Sequence, residues 1–199
     1  SADFRTYEGR HRAAANLLEH GIDHLVVIGG DGSLSGTNEF RGEWAQAVST
    51  LKAHLAMPQA VWRDERCASM RYIARCLRRL EREDEAALWL HRAIAEAPHL
   101  REPYLEFADL LYQQKDWCGV IFMVNCALAI TERPRTYICE PFAWGSFPYD
   151  LLSIAYFHLS QWESALKNAE KAFALAPDDA RLQENCALLR AKIQKESRI

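Results

Sequence analysis

The chain has 199 residues, of which 49% are hydrophobic and 26% are charged, a composition typical of globular proteins. Its formal net charge of −3 comes from residues 1–44, while the basic and acidic side chains of the remainder balance. This distribution argues against nucleic acid as a partner. No apolar run approaches the roughly 20 residues that a membrane-spanning helix needs, so we expect no membrane partner either.

Six cysteines occur without a C-x-x-C pair and without neighbouring paired histidines. This spacing argues against a zinc site. Most of the cysteines lie within apolar helical patterns, where a thiol behaves as a small hydrophobe. Free cysteines of this kind are typical of a reducing compartment, and we therefore predict a cytoplasmic protein.

The first 44 residues predict a helix–strand–loop–helix segment of α/β origin. Apolar residues at helical spacing occupy 8–20, and Gly21 follows as a helix end. The β-branched run at 25–28 predicts a buried strand, and a helix is expected to begin near Ser33. A single strand leaves both of its edges unpaired, so we predict cover by the helices or self-association through this strand.

The predicted strand is followed by Gly29-Gly30-Asp31-Gly32-Ser33, an arrangement suited to phosphate binding. Glycines allow the backbone to approach a phosphate, and the N-terminus of the next helix offers free N–H groups. A carboxylate at this position can hold Mg²⁺. The loop is not a Walker A motif, because no Gly-Lys-Ser/Thr follows.

The flanking residues 4–10, 13–17, 33–36 and 40–44, together with this loop, resemble ATP-dependent 6-phosphofructokinase. The resemblance implies that Gly30, Gly32 and Ser33 contact the phosphates of ATP and that Asp31 contributes to the Mg²⁺ site. It covers residues 1–44 only, and the catalytic T-I-D-N-D stretch of that enzyme has no counterpart in the sequence. We therefore predict no catalytic residue and no resident cofactor, with ATP and Mg²⁺ expected only if the loop is functional.

Residues 45–199 show an internal repeat. Ala86 and Ala93 match Ala165 and Ala172 at an offset of 79 residues, and proline ends both segments. Between them, the pair of Val120 and Ala127 follows the first alanine pair by 34 residues. The spacing therefore describes a 34-residue unit that occurs three times, with an 11-residue insertion before the third.

This pattern resembles the tetratricopeptide repeat. We therefore predict a mainly α-helical chain, a tetratricopeptide-type α-solenoid of about three repeats over 64–198, with a capping helix at 179–195. A helix at 44–55 is expected to pack on the first repeat. The small residues allow close helix approach, and large residues are predicted to fill the space between repeats: Tyr104, Phe107, Leu111, Tyr149, Leu152 and Tyr156.

Four stretches resemble the repeat region found C-terminal to the catalytic domain in bacterial family 2 glycosyltransferases. They are HLAMP (54–58), ERCASMRYIARC (65–76), EAPHLREP (96–103) and YICEPFAWGS (137–146). In that family the sugar chemistry requires a D-x-D carboxylate pair in a separate domain, and this sequence contains no D-x-D. Asp178-Asp179 is instead expected to cap a helix.

The insertion at 133–149 is the candidate partner site of the repeat region. It holds Tyr137, Phe142, Trp144, Phe147 and Tyr149, which either receive a sugar, a peptide or a partner helix, or simply fill the gap made by the extra residues.

A row of arginines precedes the insertion along the chain. Arg71, Arg75 and Arg78 share one helix face with the spacing i, i+4, i+7, between Arg66 and Arg79 on the same helix. They either bind an anionic partner or pair internally, and the acids at 81–85 favour internal pairing.

Together these observations predict two parts, a phosphofructokinase-like fragment at 1–44 and a tetratricopeptide-repeat domain at 45–199. The predicted function is that of a non-catalytic binding or scaffold protein, a chimera that accepts a protein or peptide in its repeat groove. The alternatives are a phosphofructokinase-related nucleotide-binding protein and an accessory domain of a bacterial glycosyltransferase. Natural recombination, an engineered fusion and a mispredicted gene are all compatible with the sequence.

Overall fold

The computed structural model describes residues 44–196, which form eight α-helices, one 3-10 turn and no strand. The predicted N-terminal strand and the Gly-Gly-Asp-Gly-Ser loop lie outside the described residues. The helices are α1 (Trp44–Ala56), α2 (Arg63–Arg79), α3 (Glu83–Glu96), α4 (Glu102–Gln113), α5 (Trp117–Ala129), α6 (Phe147–His158), α7 (Trp162–Leu175) and α8 (Ala180–Glu196). None of these helices is long and apolar enough to cross a lipid bilayer.

The helices pack as three consecutive hairpins, α2 with α3, α4 with α5 and α6 with α7. Helix α1 packs on α2 in front of the first hairpin, and α8 packs on α7 behind the third. This order confirms the predicted solenoid of three repeats with a terminal helix. Each hairpin buries its apolar face against its neighbours, as stacked repeats must.

The small residues that define the repeat all lie at helix crossings. Each of them is fully buried on the second helix of its hairpin, where a larger side chain would hold the helices apart. They are Ala86 and Ala93 on α3, Val120 and Ala127 on α5, and Ala165 and Ala172 on α7.

The turns inside the hairpins repeat as faithfully as the helices do. Each turn contains one non-glycine residue in the left-handed region: Glu81 (φ 59°), Lys115 (φ 60°) and Ser160 (φ 59°). These residues are 34 and 45 positions apart, the same spacings that relate the small residues. Backbone geometry therefore confirms the predicted register independently of side-chain character.

Two aspartates begin helices by capping free backbone N–H groups. The Asp116 carboxylate accepts a hydrogen bond from Gly119 N–H (2.9 Å) at the start of α5. Asp179 accepts one from Arg181 N–H (3.0 Å) at the start of α8. The second contact confirms that Asp178-Asp179 is a capping turn.

Most of the large residues predicted between repeats are packed into the core. Phe107 and Leu152 are buried, and Tyr104, Leu111 and Tyr156 pack against the same clusters at partial burial. Tyr149 differs, because its ring lies under Lys171 Nζ at 5.3 Å from the centroid, inside the third hairpin. The spacing alone does not separate these two environments.

Helix α1 is integrated into the array. Val48 and Leu51 are buried in the cluster that also contains residues of α2 and α3. The His54 ring nitrogen Nδ1 lies 2.9 Å from the Ser69 hydroxyl, and both groups are buried. Arg66 Nη1 donates to the Leu55 carbonyl oxygen (3.0 Å). The predicted packing of α1 on the first repeat is therefore confirmed.

The insertion between α5 and α6 folds back along the array. It contains a turn closed by a hydrogen bond from Cys139 N–H to the Thr136 carbonyl oxygen (3.2 Å), and a 3-10 turn at Pro141–Trp144. Ile138 is buried in the cluster formed by α1, α2, α3 and α4. A segment between the second and third hairpins thus contacts the first one.

Candidate ligand groove

An open groove of about 700 Å³ lies between α2, α4, the insertion and the N-terminal turn of α6. The first helix of each hairpin faces it. Its walls combine charged side chains with a small apolar region formed by Leu105, Phe142 and Phe147. The charged lining residues are Arg75, Arg78, Arg79, Glu83, Glu106, Asp109 and Glu140. We call this feature the ligand groove.

The charged walls follow from helical spacing. On α2, Arg71, Arg75 and Arg78 are related by i, i+4, i+7, so they share one face. On α4, Glu102, Glu106 and Asp109 have the same spacing. Because α2 and α4 are the first helices of adjacent hairpins, the basic face of one lies opposite the acidic face of the other.

Arg71 occupies the centre of this arrangement and is 0% exposed. Its Nε donates to Glu106 Oε1 at 2.6 Å, and its Nη2 forms short contacts with the carboxylates of Glu106 and Glu140. Arg75 Nη2 contacts the same two residues, at 2.8 Å from Glu106 Oε1 and 3.2 Å from Glu140 Oε2. We call these four residues the buried ion-pair network.

The network shifts the pKa of its members in the directions that mutual pairing requires. Burial alone lowers the pKa of Arg71 and of Arg75, but the carboxylates of Glu106 and Glu140 outweigh it and raise both above the usual arginine range. Burial alone raises the pKa of Glu106, but Arg71 and Arg75 outweigh it and lower that pKa. All three groups are therefore charged over the physiological pH range.

The thiol beside the network has the opposite character. Cys67 is fully buried on α2, and burial raises its pKa to about 12. It is a neutral packing group at physiological pH and not a nucleophile, because the thiolate is the reactive form. Among residues 44–196, no group of three or more His, Cys, Asp or Glu side chains is arranged to hold a metal ion.

The five aromatic residues of the candidate partner site do not form one cluster. Phe142 and Phe147 meet edge to face with centroids 5.6 Å apart, and both line the ligand groove. Tyr137 is 64% exposed and contacts Trp62 at the front of α2 (5.6 Å).

Trp144 and Tyr149 are held by cations away from that pair. The Arg101 guanidinium covers the Trp144 ring at 3.7 Å from its centroid, and Tyr149 lies under Lys171. The structure therefore brings two of the five residues, Phe142 and Phe147, to the ligand groove. Trp144 also packs against the core cluster of α4, α5 and α6, as expected for a ring that fills the gap made by the insertion.

A smaller apolar notch of about 170 Å³ lies between α6 and α8, with Ile154, Phe157 and Leu188 on its walls. Phe147 and Ile154 are seven residues apart on α6 and therefore share one helix face. That shared face links the apolar region of the ligand groove to the notch. Asp150, between them, is paired with Arg181 of α8 (2.8 Å).

The arginine row is paired internally, in agreement with the second of its two interpretations. Its partners, however, are not the acids at 81–85 that favoured this interpretation. Arg78 pairs with Asp109 (2.7 Å) and Arg66 with Glu96 (2.9 Å), while Arg79 lies over the Trp44 ring. The partners are about 30 or more residues away because the helices stack side by side, which local sequence does not reveal.

Comparison with known proteins agrees with this division of the chain. The phosphofructokinase family model matches residues 1–64. ATP-dependent 6-phosphofructokinase 1 of Caenorhabditis elegans is 59% identical over 51 residues, and the human muscle-type enzyme is 58% identical over 50 residues. These matches cover 26% and 25% of this chain, which spans 6% of the length of either enzyme.

The predicted resemblance of the N-terminal segment to phosphofructokinase is therefore confirmed. The family match continues 20 residues beyond residue 44, across α1 and into the start of α2. Its implied phosphate contacts, Gly30, Asp31, Gly32 and Ser33, lie outside the described residues.

Two solved structures share the helical-repeat fold, MamA MSR-1 C2 and MamA AMB-1 C2221. The first has a TM-score of 0.57 at 13% identity and covers 81% of this chain and 84% of its own. The second has a TM-score of 0.56 at 16% identity and covers 79% and 83%. The described part of the chain therefore has a tetratricopeptide-type helical-repeat fold. The resemblance to glycosyltransferase repeat regions stays a prediction.

Proposed function

We propose that this chain is a non-catalytic helical-repeat protein that binds a protein or peptide segment in the ligand groove. The observation that carries the proposal is the groove itself, an open recess lined by the first helices of the hairpins and by the insertion. Its apolar side chains, Leu105, Phe142 and Phe147, are accessible next to a charged wall. Pockets that combine an apolar surface with a few placed polar groups are typical of ligand sites.

The buried ion-pair network supports this proposal because it makes the groove rigid before any ligand arrives. A preformed surface avoids the ordering cost that a flexible loop would add to binding. The network also argues against a purely electrostatic site for an anionic partner, since the cations of the wall already face carboxylates. Apolar contact is therefore the main expected source of affinity.

A random-peptide display selection on the purified full chain tests the proposal. We expect enriched peptides that lose at least tenfold in affinity on the Phe142→Ala variant, measured by fluorescence polarisation, because that ring lies in the groove. Gln113→Trp offers a second variant, which fills the groove from α4 without removing a packed side chain. Phe122→Ala on α5, where Phe122 is exposed and is not among the groove-lining residues, is the matched control.

Two results would count against a groove ligand. One is a selection that enriches no peptide. The other is a set of peptides that bind wild type, Phe142→Ala and Gln113→Trp equally well while each variant keeps the wild-type circular dichroism spectrum.

A second candidate function, nucleotide binding, is favoured by the family match over residues 1–64. We expect it to be weak, because one glycine loop supplies one wall of a site that needs several, and each ~1.4 kcal/mol lost weakens affinity tenfold. Calorimetric titration with Mg-ATP should show a Kd of about 1 mM or weaker, and no fructose 1,6-bisphosphate should form. Tight Mg-ATP binding that disappears in Asp31→Ala would reverse this ranking.

A further inference from the structure

We infer that the insertion is a tethered ligand of the groove and that the groove recognises its chemistry: a glutamate held extended by a following proline, between an aliphatic and an aromatic residue. In this chain the segment is Ile138-Cys139-Glu140-Pro141-Phe142. The partner is a protein segment of the same chemistry that replaces it. The inference rests on the proposed function and names the ligand class of the same groove.

The glutamate side chain meets a complementary subsite. Arg71 and Arg75 of α2 both contact the Glu140 carboxylate, and Glu140 is 6% exposed. Arg71 has no exposed surface, so the subsite is a fixed cationic pocket and not a flexible surface arginine. Paired guanidinium groups select a carboxylate by charge and by geometry.

The backbone of the same residue is recognised from α4. The Glu140 N–H donates to the Glu102 Oε1 atom at 2.9 Å, and Glu102 is fully buried. The residue has φ −87° and ψ 137°, an extended conformation that Pro141 favours sterically. Side chain and main chain of one residue are thus held by two different repeats, the arrangement expected for a bound peptide.

The flanking side chains occupy apolar sites on either side. Ile138 is buried in the core cluster that contains Tyr72 and Ile73 of α2, and Phe142 contacts Phe147 in the groove. Aliphatic and aromatic side chains two residues before and after the glutamate therefore contribute apolar burial. These three contacts together define the recognised segment.

Exchange of the insertion for a partner segment conserves the charges of the network. Simple opening would leave Arg71 beside one carboxylate fewer in a buried site, which is costly. When a partner glutamate takes the site, the number of buried ion pairs stays the same and Glu140 becomes hydrated. The insertion therefore opposes weak or uncharged segments and yields to one of matching chemistry.

The tether sets how strong that competition is. A segment on a short linker competes at a local concentration in the millimolar range. A free peptide of the same sequence should consequently bind the wild-type chain poorly. It should bind much better when the tethered glutamate is removed.

The experiment titrates a fluorescein-labelled peptide of residues 136–145, with serine in place of Cys139, into the full-length chain. We expect the Glu140→Ala variant to bind this peptide at least tenfold more tightly than wild type. A peptide with Gln in place of Glu140 should lose at least tenfold on the same variant. Glu132→Ala, which removes an exposed acid from the same insertion, is the matched control and should behave as wild type.

Folding is followed in parallel by circular dichroism. If Glu140→Ala loses its cooperative transition, the added peptide should restore it, and Pro141→Gly, which keeps the carboxylate, should show an intermediate gain in affinity. Equal binding of the Glu and Gln peptides, or no gain in either variant, would overturn the inference. Display peptides that respond to Gln113→Trp but carry no acidic residue would support the proposed function while overturning this inference.

Discussion

Replacement of Arg71 by methionine is expected to lower the free energy of unfolding by about 3–5 kcal/mol, the range seen when one partner of a buried ion pair is removed. The guanidinium is inaccessible to water and compensates the carboxylates of Glu106 and Glu140. Without it, Arg75 alone faces two buried negative charges. Methionine has a similar length and keeps the packing, so the loss reports on charge.

Urea denaturation of the full chain, followed by circular dichroism at 222 nm, measures this effect. The matched control is Arg190→Met, which removes an exposed pair with Glu170 and should leave the transition almost unchanged. Equal stability of Arg71→Met and wild type would show that the network contributes nothing to the fold.

The same network predicts how stability depends on pH. Because the pKa of Glu106 is lowered in the folded state, its contribution is present above the ordinary glutamate pKa and is lost as pH falls through the lowered value. The wild-type chain should therefore lose stability progressively below about pH 4.5. In Arg71→Met this carboxylate is no longer stabilised as an anion, so the difference between the two proteins should narrow as the pH falls.

Replacement of Ala165 by leucine is expected to cost about 1–3 kcal/mol, the usual penalty for overpacking a filled core. Ala165 is fully buried on α7, in a cluster with Ala169, Cys186 and Leu189, and Tyr156 packs against the same cluster. Three added carbon atoms have no space there, so α7 must move away from α6 or α8.

Ala174→Leu makes the same change at an exposed position of the same helix and should leave stability within about 0.5 kcal/mol of wild type. Thermal and urea transitions of both variants provide the comparison. Similar stabilities for the two leucine variants would contradict the assignment of Ala165 to a close helix crossing.

The repeat was predictable because its signal is local and recurs. Close helix crossings admit only small side chains, so Ala86, Ala93, Ala165 and Ala172 carry the packing geometry in the sequence itself. The insertion length followed from the same register, and so did the helix that precedes the first repeat. Each of these features depends on residues that are neighbours within one helical hairpin.

The composition of the groove was not predictable in the same way. Arg71 is 35 residues from Glu106 and 69 from Glu140, and no local pattern connects them. The signal was present on α4, where Glu102 and Glu106 alternate with the apolar Leu105 and Phe107. Acids on an apolar helix require buried partners, and the arginine face of α2 was the available set.

The aromatic residues of the insertion illustrate a second reason. Their closeness in sequence suggested one cluster, but a turn at Thr136 and a 3-10 turn at Pro141–Trp144 redirect the chain twice within ten residues. Tyr137 and Trp144 consequently lie against different helices. Side-chain direction in an irregular segment depends on turn geometry, which composition does not encode.

The reach of the insertion changes how the array should come apart. In an ordinary solenoid each repeat contacts only its neighbours, so the ends can fray while the middle persists. Here Glu140, which precedes the third hairpin, is tied to Arg71 in the first and Glu102 in the second. Loss of either the first or the third hairpin disrupts the same contacts, so the three units should unfold as one cooperative transition.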